Sequence, residues 1–204
     1  MIELPRDRTA MCVVEMQNDL VSPELLEARG LRGALARAVH ARRVLDKLPP
    51  VLEACRARGV PVLYLTKERD PALPQPDFPP IYGSGGADPI LVRGSRGAAV
   101  VDALAPADGD LVLARATSLD PSYGSELWSV LRRLGTTTLI VAGISTTIAV
   151  EGLVRAAANR AYRVAVVEDC CASVPEEWHD FSARNVLPLL ADVVRAIDVA
   201  RALA

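Results

Sequence analysis

Thr138-Leu139-Ile140-Val141-Ala142-Gly143 runs directly into Ile144-Ser145-Thr146-Thr147-Ile148-Ala149-Val150-Glu151. An apolar, β-branched run that stops at glycine predicts a buried strand at its carboxyl end. From Thr147 to about Arg160 the apolar residues Ile148, Ala149, Val150, Leu153, Val154, Ala156, Ala157 and Ala158 surround nearly the whole circumference of a helix. Such a helix packs on a sheet and on something else as well. Tyr162 to Asp169 is a second β-rich run. Strand, turn, helix and strand make a βαβ unit, and open parallel sheets bind ligands at the carboxyl ends of their strands. The turn Thr146 to Ala149 is therefore the candidate floor of a site, with helix-start amides and positive dipole character. The hydroxyls of Ser145, Thr146 and Thr147 are expected to cap those amides.

The same alternation extends outward in both directions. Thr9 to Glu15 and Val60 to Thr66 read as strands. Between them Gly33 to Arg58 has helical spacing, with a break expected at Pro49-Pro50. Pro71 to Pro89 is rich in proline and glycine, a long irregular segment of the kind that covers sites or meets partners. Ala98 to Leu104 reads as a short helix, Leu111 to Arg115 as a strand, and Ser125 to Leu134 as a helix stopped by Gly135. Pro175 to Leu190 predicts a further helix and Asp192 to Asp198 a last strand. Strands alternating with helices predict an α/β domain, a parallel sheet covered on both faces. No repeat or linker divides residues 1–204.

Composition narrows the function. The chain has 204 residues, half of them apolar, and a formal net charge of -2, which argues against nucleic acid or an anionic membrane as partner. No apolar run approaches the ~20 residues of a membrane span, and the first residues lack the shape of a signal peptide, so a cytoplasmic location is expected. Cys12, Cys55, Cys170 and Cys171 do not make a disulfide framework and read as buried thiols. His40 and His179 are in no metal-ligand spacing, and neither metal nor cofactor is expected. Gly83-Ser84-Gly85-Gly86 lies in the Pro-rich segment rather than between a strand and a helix, so it is not a phosphate loop.

Four motifs, taken together, resemble the isochorismatase-like (cysteine hydrolase) superfamily over almost the whole chain. Glu15-Met16-Gln17-Asn18-Asp19 resembles its first-strand motif Asp-Met-Gln-Asn-Asp. Arg96-Gly97 through Gly109-Asp110 resembles the lead-in to its lysine strand. Gly143 to Glu151 resembles its nucleophile turn, Gly-Val-x-Thr-x-x-Cys-Val-Glu. Val166 to Ser173 resembles the strand that follows. The resemblance implies a three-layer sandwich with a six-stranded parallel sheet, a homodimer or homotetramer, and hydrolysis of small amides or of a vinyl ether. It also implies a trio of aspartate, lysine and cysteine, and here all three differ. Glu15 holds the aspartate position and Ala149 the cysteine position. Counting forward from Gly109 puts Arg115 at the lysine position, whereas counting back from Tyr123-Gly124-Ser125 puts Ala116 there.

Alanine has no nucleophilic atom, so thiol attack at position 149 is excluded. The resemblance leaves a cysteine-independent route, in which a carboxyl group works on a vinyl ether or on water. The expected roles are Glu15 as acid or base and Arg115 as a clamp for a small, polar, anionic substrate. Gln17, Ile148 and Tyr123 are expected at the substrate, with backbone amides near Ile148 and Ala149 as oxyanion donors. For Gln17 and Asn18, turn hydrogen bonding is the equal alternative. Trp128, Tyr123, Tyr82 and Phe78 are candidates for a pocket wall or an interface, with ordinary core packing as the alternative. Glu151, a carboxylate on an apolar helix, needs an arginine or amide partner. Asp19 is expected to anchor a neighbouring loop, His179 to lie on a solvated face or subunit contact, and Arg56 and Arg58 to be surface charges. Two other readings stand beside the hydrolase. In one, Glu15 and Arg115 pair and fill the old pocket of a pseudoenzyme that binds a metabolite or partner protein. In the other, Cys170 or Cys171 replaces the lost thiol.

Overall fold

A computed structural model describes residues 2–74, 79–85 and 90–204. Six strands, β1 (Thr9–Val14), β2 (Val62–Lys67), β3 (Leu111–Arg115), β4 (Thr138–Ile144), β5 (Arg163–Ala172) and β6 (Asp192–Val194), form one sheet in the order β3-β2-β1-β4-β5-β6. Every neighbouring pair is parallel. β1 and β4 are buried at every residue, as central strands covered on both faces must be. β3 forms one edge, where Leu111 and Val112 remain exposed.

The chain winds outward from β1 through β2 to β3, then returns to the middle as β4 and winds the other way. The reversal lies between β1 and β4, whose register pairs Val14 with Gly143. At such a switch point the loops after the two strands part and leave a crevice at their carboxyl ends. Glu15 follows one strand and the Ser145–Val150 turn follows the other, so the winding order selects the two segments that the sequence singles out.

Seven α-helices, α1 (Asn18–Val21), α2 (Gly30–Ala41), α3 (Val44–Ala57), α4 (Leu127–Arg133), α5 (Glu151–Ala158), α6 (Glu176–Phe181) and α7 (Ala196–Leu203), complete the described layers. Several depart from expectation. The break between α2 and α3 comes at Arg42-Arg43, where Arg43 takes a left-handed φ of 56°; Pro49 and Pro50 lie inside α3. Backbone φ > 0 ends a helix outright, whereas proline fixes a φ that is itself helical. The turn after β4 is a π-helix over Thr146–Val150 before α5 begins. The expected helix Pro175 to Leu190 is three pieces, α6, a π-helix at Ser182–Val186 and a 3-10 turn at Leu187–Leu189. Ala98 to Leu104 holds only a 3-10 turn at Asp102–Leu104. The last strand stops at Val194 because α7 starts two residues later, its first turn closed by Asp198 accepting from the Arg195 amide.

The expected surface charge Arg56 is instead tied down, 2.6 Å from the nearly buried Asp110 and 3.1 Å from the Tyr64 hydroxyl. Trp128 is no pocket wall. It packs on Tyr162, which precedes β5 and so belongs to the amino end of the sheet, with Arg160 over its ring. Phe78 and Gly86 lie outside the described residues.

Gly143 has a φ of 119°, and a Cβ there would lie 2.2 Å from the Val14 carbonyl oxygen. β5 shifts register at this point, between Val141 and Gly143. Gly143→Ala therefore meets steric and backbone strain together, with an expected loss of about 3 kcal/mol. Thermal denaturation checks it: the midpoint should fall by about 6–12 °C, and an unchanged midpoint would remove the close approach of β1 and β4 as a constraint.

Candidate active site

Glu15 leaves β1 with a left-handed φ of 52°, uncommon for a residue with a side chain. Its amide donates to the Leu65 carbonyl at 3.0 Å and its carbonyl accepts from Gln17 at 2.8 Å, so β2 and a tight turn set the backbone on both sides. Its carboxylate pairs with the guanidinium of Arg115, at the end of β3. β2 stands between those strands, so the two side chains bridge about 10 Å of sheet. Their length makes this bridge possible.

Arg115 is buried, and Ala116 is exposed. Each nitrogen of the Arg115 guanidinium meets the protein: Nε the Ser118 hydroxyl at 3.2 Å, one terminal nitrogen the Thr66 carbonyl at 3.3 Å, and the other Glu15 and the Ser118 carbonyl at 3.4 Å. Only 1% of its side chain is accessible, against 16% of that of Glu15. The carboxylate thus faces outward and the guanidinium holds it from behind. This differs from the expected clamp, because a guanidinium enclosed in this way has no face left for a substrate anion.

Gln17 takes the structural alternative. Its amide nitrogen donates to the Lys67 and Ala98 carbonyls at 2.9 and 2.6 Å, and its oxygen accepts from the Lys67 amide at 2.9 Å. Asn18 donates to the carbonyls of Arg96 and Ala99 at 3.0 and 3.2 Å. Asp19 anchors a loop, as expected, accepting from the Leu91 amide at 2.7 Å. Gly97 permits that contact, since a Cβ there would lie 2.1 Å from the Asp19 carboxylate. The three polar residues after Glu15 thus fasten the loop at 91–100 across the strand ends.

At the other side of the crevice Ala149 is buried in the π-turn. The expected side-chain capping is absent. The Thr146 hydroxyl lies 2.8 Å from His179 Nδ1, and the Thr147 hydroxyl 2.8 Å from that of Ser173. The Ile148 amide donates to the Ser145 carbonyl at 3.2 Å and is no free oxyanion donor. Tyr123 is 71% exposed and touches the site only through its carbonyl, which accepts from the Ser118 hydroxyl.

His179, expected on a solvated face, is 1% exposed. Its Nε2 lies 3.7 Å from the Glu168 carboxylate, which Arg42 meets at 3.0 Å while also donating to the Cys171 carbonyl. The bond from His179, with the charge and hydrogen bond of Arg42, holds the Glu168 carboxyl below the usual carboxylate range despite partial burial. This chain of contacts braces the turn from behind. Glu151 finds its expected arginine, Arg155, at 2.7 Å and also accepts from Ser182.

All four thiols are buried. Burial pushes Cys12, Cys55 and Cys171 up to about 12 and raises Cys170 as well. Burial of this kind favours the neutral thiol over the thiolate, which counts against attack by Cys170 or Cys171. Among the described residues, no group of three or more His, Cys, Asp or Glu could hold a metal ion, and no helix is long and apolar enough to cross a membrane.

One group at the strand ends escaped the sequence reading. Lys67 closes β2, in register with Arg115, its ammonium 4.0 Å from the centre of the Tyr82 ring. Burial lowers its pKa to about 8, with Arg115 and Arg69 adding to the effect and Glu15 opposing it.

Comparison with known proteins agrees with this architecture. The model of the isochorismatase domain matches residues 9–198. A ureidoacrylate amidohydrolase from Methylobacterium radiotolerans is 31% identical over 200 residues, 91% of this chain and 75% of that protein. A protein named as a probable inactive nicotinamidase from Arabidopsis thaliana is 26% identical over 84% of each chain. The N-carbamoylsarcosine amidase structure from Thermoplasma acidophilum superimposes with a TM-score of 0.71 at 28% identity, covering 93% of this chain and 96% of that one. With the sheet order, the turn after β4 and a match spanning nearly every residue in hand, the chain belongs to the isochorismatase family.

Proposed function

We propose that this chain is a hydrolase that works without a thiol, on a small polar carboxamide, ureido or vinyl-ether substrate, with Glu15 as its acid–base group. The observation that carries this reading is the uneven burial of the Glu15–Arg115 pair: the guanidinium is enclosed while the carboxylate it holds keeps part of its surface accessible. A carboxylate held in one orientation is suited to take a proton from water. For an amide or ureido substrate, water oxygen bonds to the carbonyl carbon as Glu15 takes one of its protons, and the carbon–nitrogen bond then breaks. Arg115 is a positioning group in this scheme, in place of the anion clamp read from sequence. Ala149 leaves room where the family's sulfur would stand, so water can approach without forming a covalent intermediate. The names of the amidohydrolase and amidase relatives supply the substrate class.

A second reading has its own observation. Glu15 and Arg115 satisfy one another, as they would in a protein that binds a metabolite and performs no chemistry, and one relative carries the name of an inactive enzyme. Turnover decides between the two. A panel of carboxamides, ureido acids and vinyl ethers should contain a substrate, and Glu15→Gln should lower kcat by about 100-fold or more with the fold intact. Full turnover by that variant would end the role of Glu15, and an inert wild type across the panel would favour the binder.

Iodoacetamide gives an independent check. Buried thiols with raised pKa values should leave activity unchanged under native conditions. Inactivation in step with alkylation of Cys170 or Cys171 would restore a thiol mechanism.

A further inference from the structure

Lysine is rare in this chain: two residues, Lys47 and Lys67, against 21 arginines. Lys47 lies 4.0 Å from Asp169, on β5. Lys67 ends β2, the strand between the two whose ends carry Glu15 and Arg115. Its register partner is Arg115, so the two side chains leave the sheet on the same face and at the same level. Its backbone is fixed on one edge, because the Gln17 side-chain amide binds both its N–H and its carbonyl. The buried polar side chain of Gln17 thereby sets where the lysine begins.

The surroundings of the ammonium are unusual. Glu15, the nearest carboxylate by charge, is already taken by Arg115. The Lys67 ammonium instead sits over the Tyr82 ring, a contact that attracts a cation without binding its protons in fixed directions. Arg115 and Arg69 face it as positive charges and Glu15 as a negative one. Tyr82 also feels Arg115 and Glu15, so all of these groups share one patch of field. Arginine cannot give up a proton near neutral pH, whereas a half-buried lysine can.

We infer that Lys67 is a catalytic residue of this site, the acid that protonates the leaving atom while Glu15 acts on water. This rests on the hydrolase reading above and supplies its missing half. Water oxygen bonds to the carbonyl carbon and Glu15 takes the water proton. The carbon–nitrogen bond breaks, its electron pair stays with nitrogen, and the Lys67 ammonium gives that nitrogen a proton. The amine left on Lys67 then receives the proton held by Glu15, and the net change is addition of one water across the bond. Arg115 cannot serve as donor, which leaves Lys67, its register partner on β2, for that role.

The environment also sets the pH response. Burial lowers the pKa of Lys67 to about 8, so the ammonium is the main form at neutral pH and still surrenders its proton readily. The rate should fall as pH rises through about 8, because the active form is lost.

Two measurements test this. In protein labelled with [13C]lysine only two Cε signals exist, and Lys47→Arg assigns them. The Lys67 signal should titrate near 8, lower still in Glu15→Gln, which removes the one charge that favours the ammonium. Titration above 10 in both would overturn the proposal whether or not a substrate is in hand. For kinetics, Lys67→Arg keeps the charge but not the transferable proton. It should lower kcat by about 100-fold or more and abolish the alkaline limb near pH 8. Unchanged kcat and an unchanged profile in that variant would overturn the proposal while leaving Glu15 untouched. Loss in Lys67→Arg with full activity in Glu15→Gln would retain the lysine and reject the Glu15 reading.

Discussion

Glu15 and Arg115 face each other across the end of β2, and much of the site is arranged around that ion pair. An arginine buried to 1% accessibility is tolerable only when its charge and its donors are met. Glu15 meets the charge; Thr66 and Ser118 meet the remaining donors. Gln17, Asn18 and Asp19 fasten the loop that follows, so the left-handed backbone at Glu15 is bounded by hydrogen bonds on both sides. Shorter acid and base side chains in these positions could not bridge two strand spacings so directly. Glutamate and arginine close the gap by length, and the result is a carboxylate with one fixed orientation.

The second wall is made differently. Gly143 lets β4 approach β1 closely, and the π-turn after it is pinned from outside by side chains rather than capped from within. Thr146 reaches His179, His179 adjoins Glu168, and Arg42 meets both Glu168 and the Cys171 carbonyl. These contacts make the geometry of the turn independent of whatever side chain stands at position 149.

The fold was largely legible from sequence because its signals are local. Predominantly apolar runs such as 138–144 identify central parallel strands, and Gly135, at positive φ, marks the stop of the helix before them. Element limits failed where tertiary contacts overrode local preference: Pro49-Pro50 inside α3, the break at Arg43, and α7 in place of a longer last strand. The positions of Glu15, Arg115 and Ala149 followed from motif spacing. What their side chains do did not, since a clamp and a buried pair use the same two residues and differ only in which way the guanidinium is enclosed. His179 was misread because a polar run, Glu176-Glu177-Trp178-His179-Asp180, hides one inward-facing position per turn. Lys67 was passed over because it ends a strand quietly, although its rarity in an arginine-rich chain was readable from composition.

Glu15 and Arg115 are held to act as one unit. A double-mutant cycle of Glu15→Gln, Arg115→Met and their combination, read as unfolding free energy in denaturant, tests it most directly. Each single change should cost about 3 kcal/mol or more, because it strands the partner, and the double variant should cost clearly less than the two together. Strictly additive losses would mean that the two side chains do not depend on one another, and the fixed carboxylate on which the chemistry rests would be lost with them.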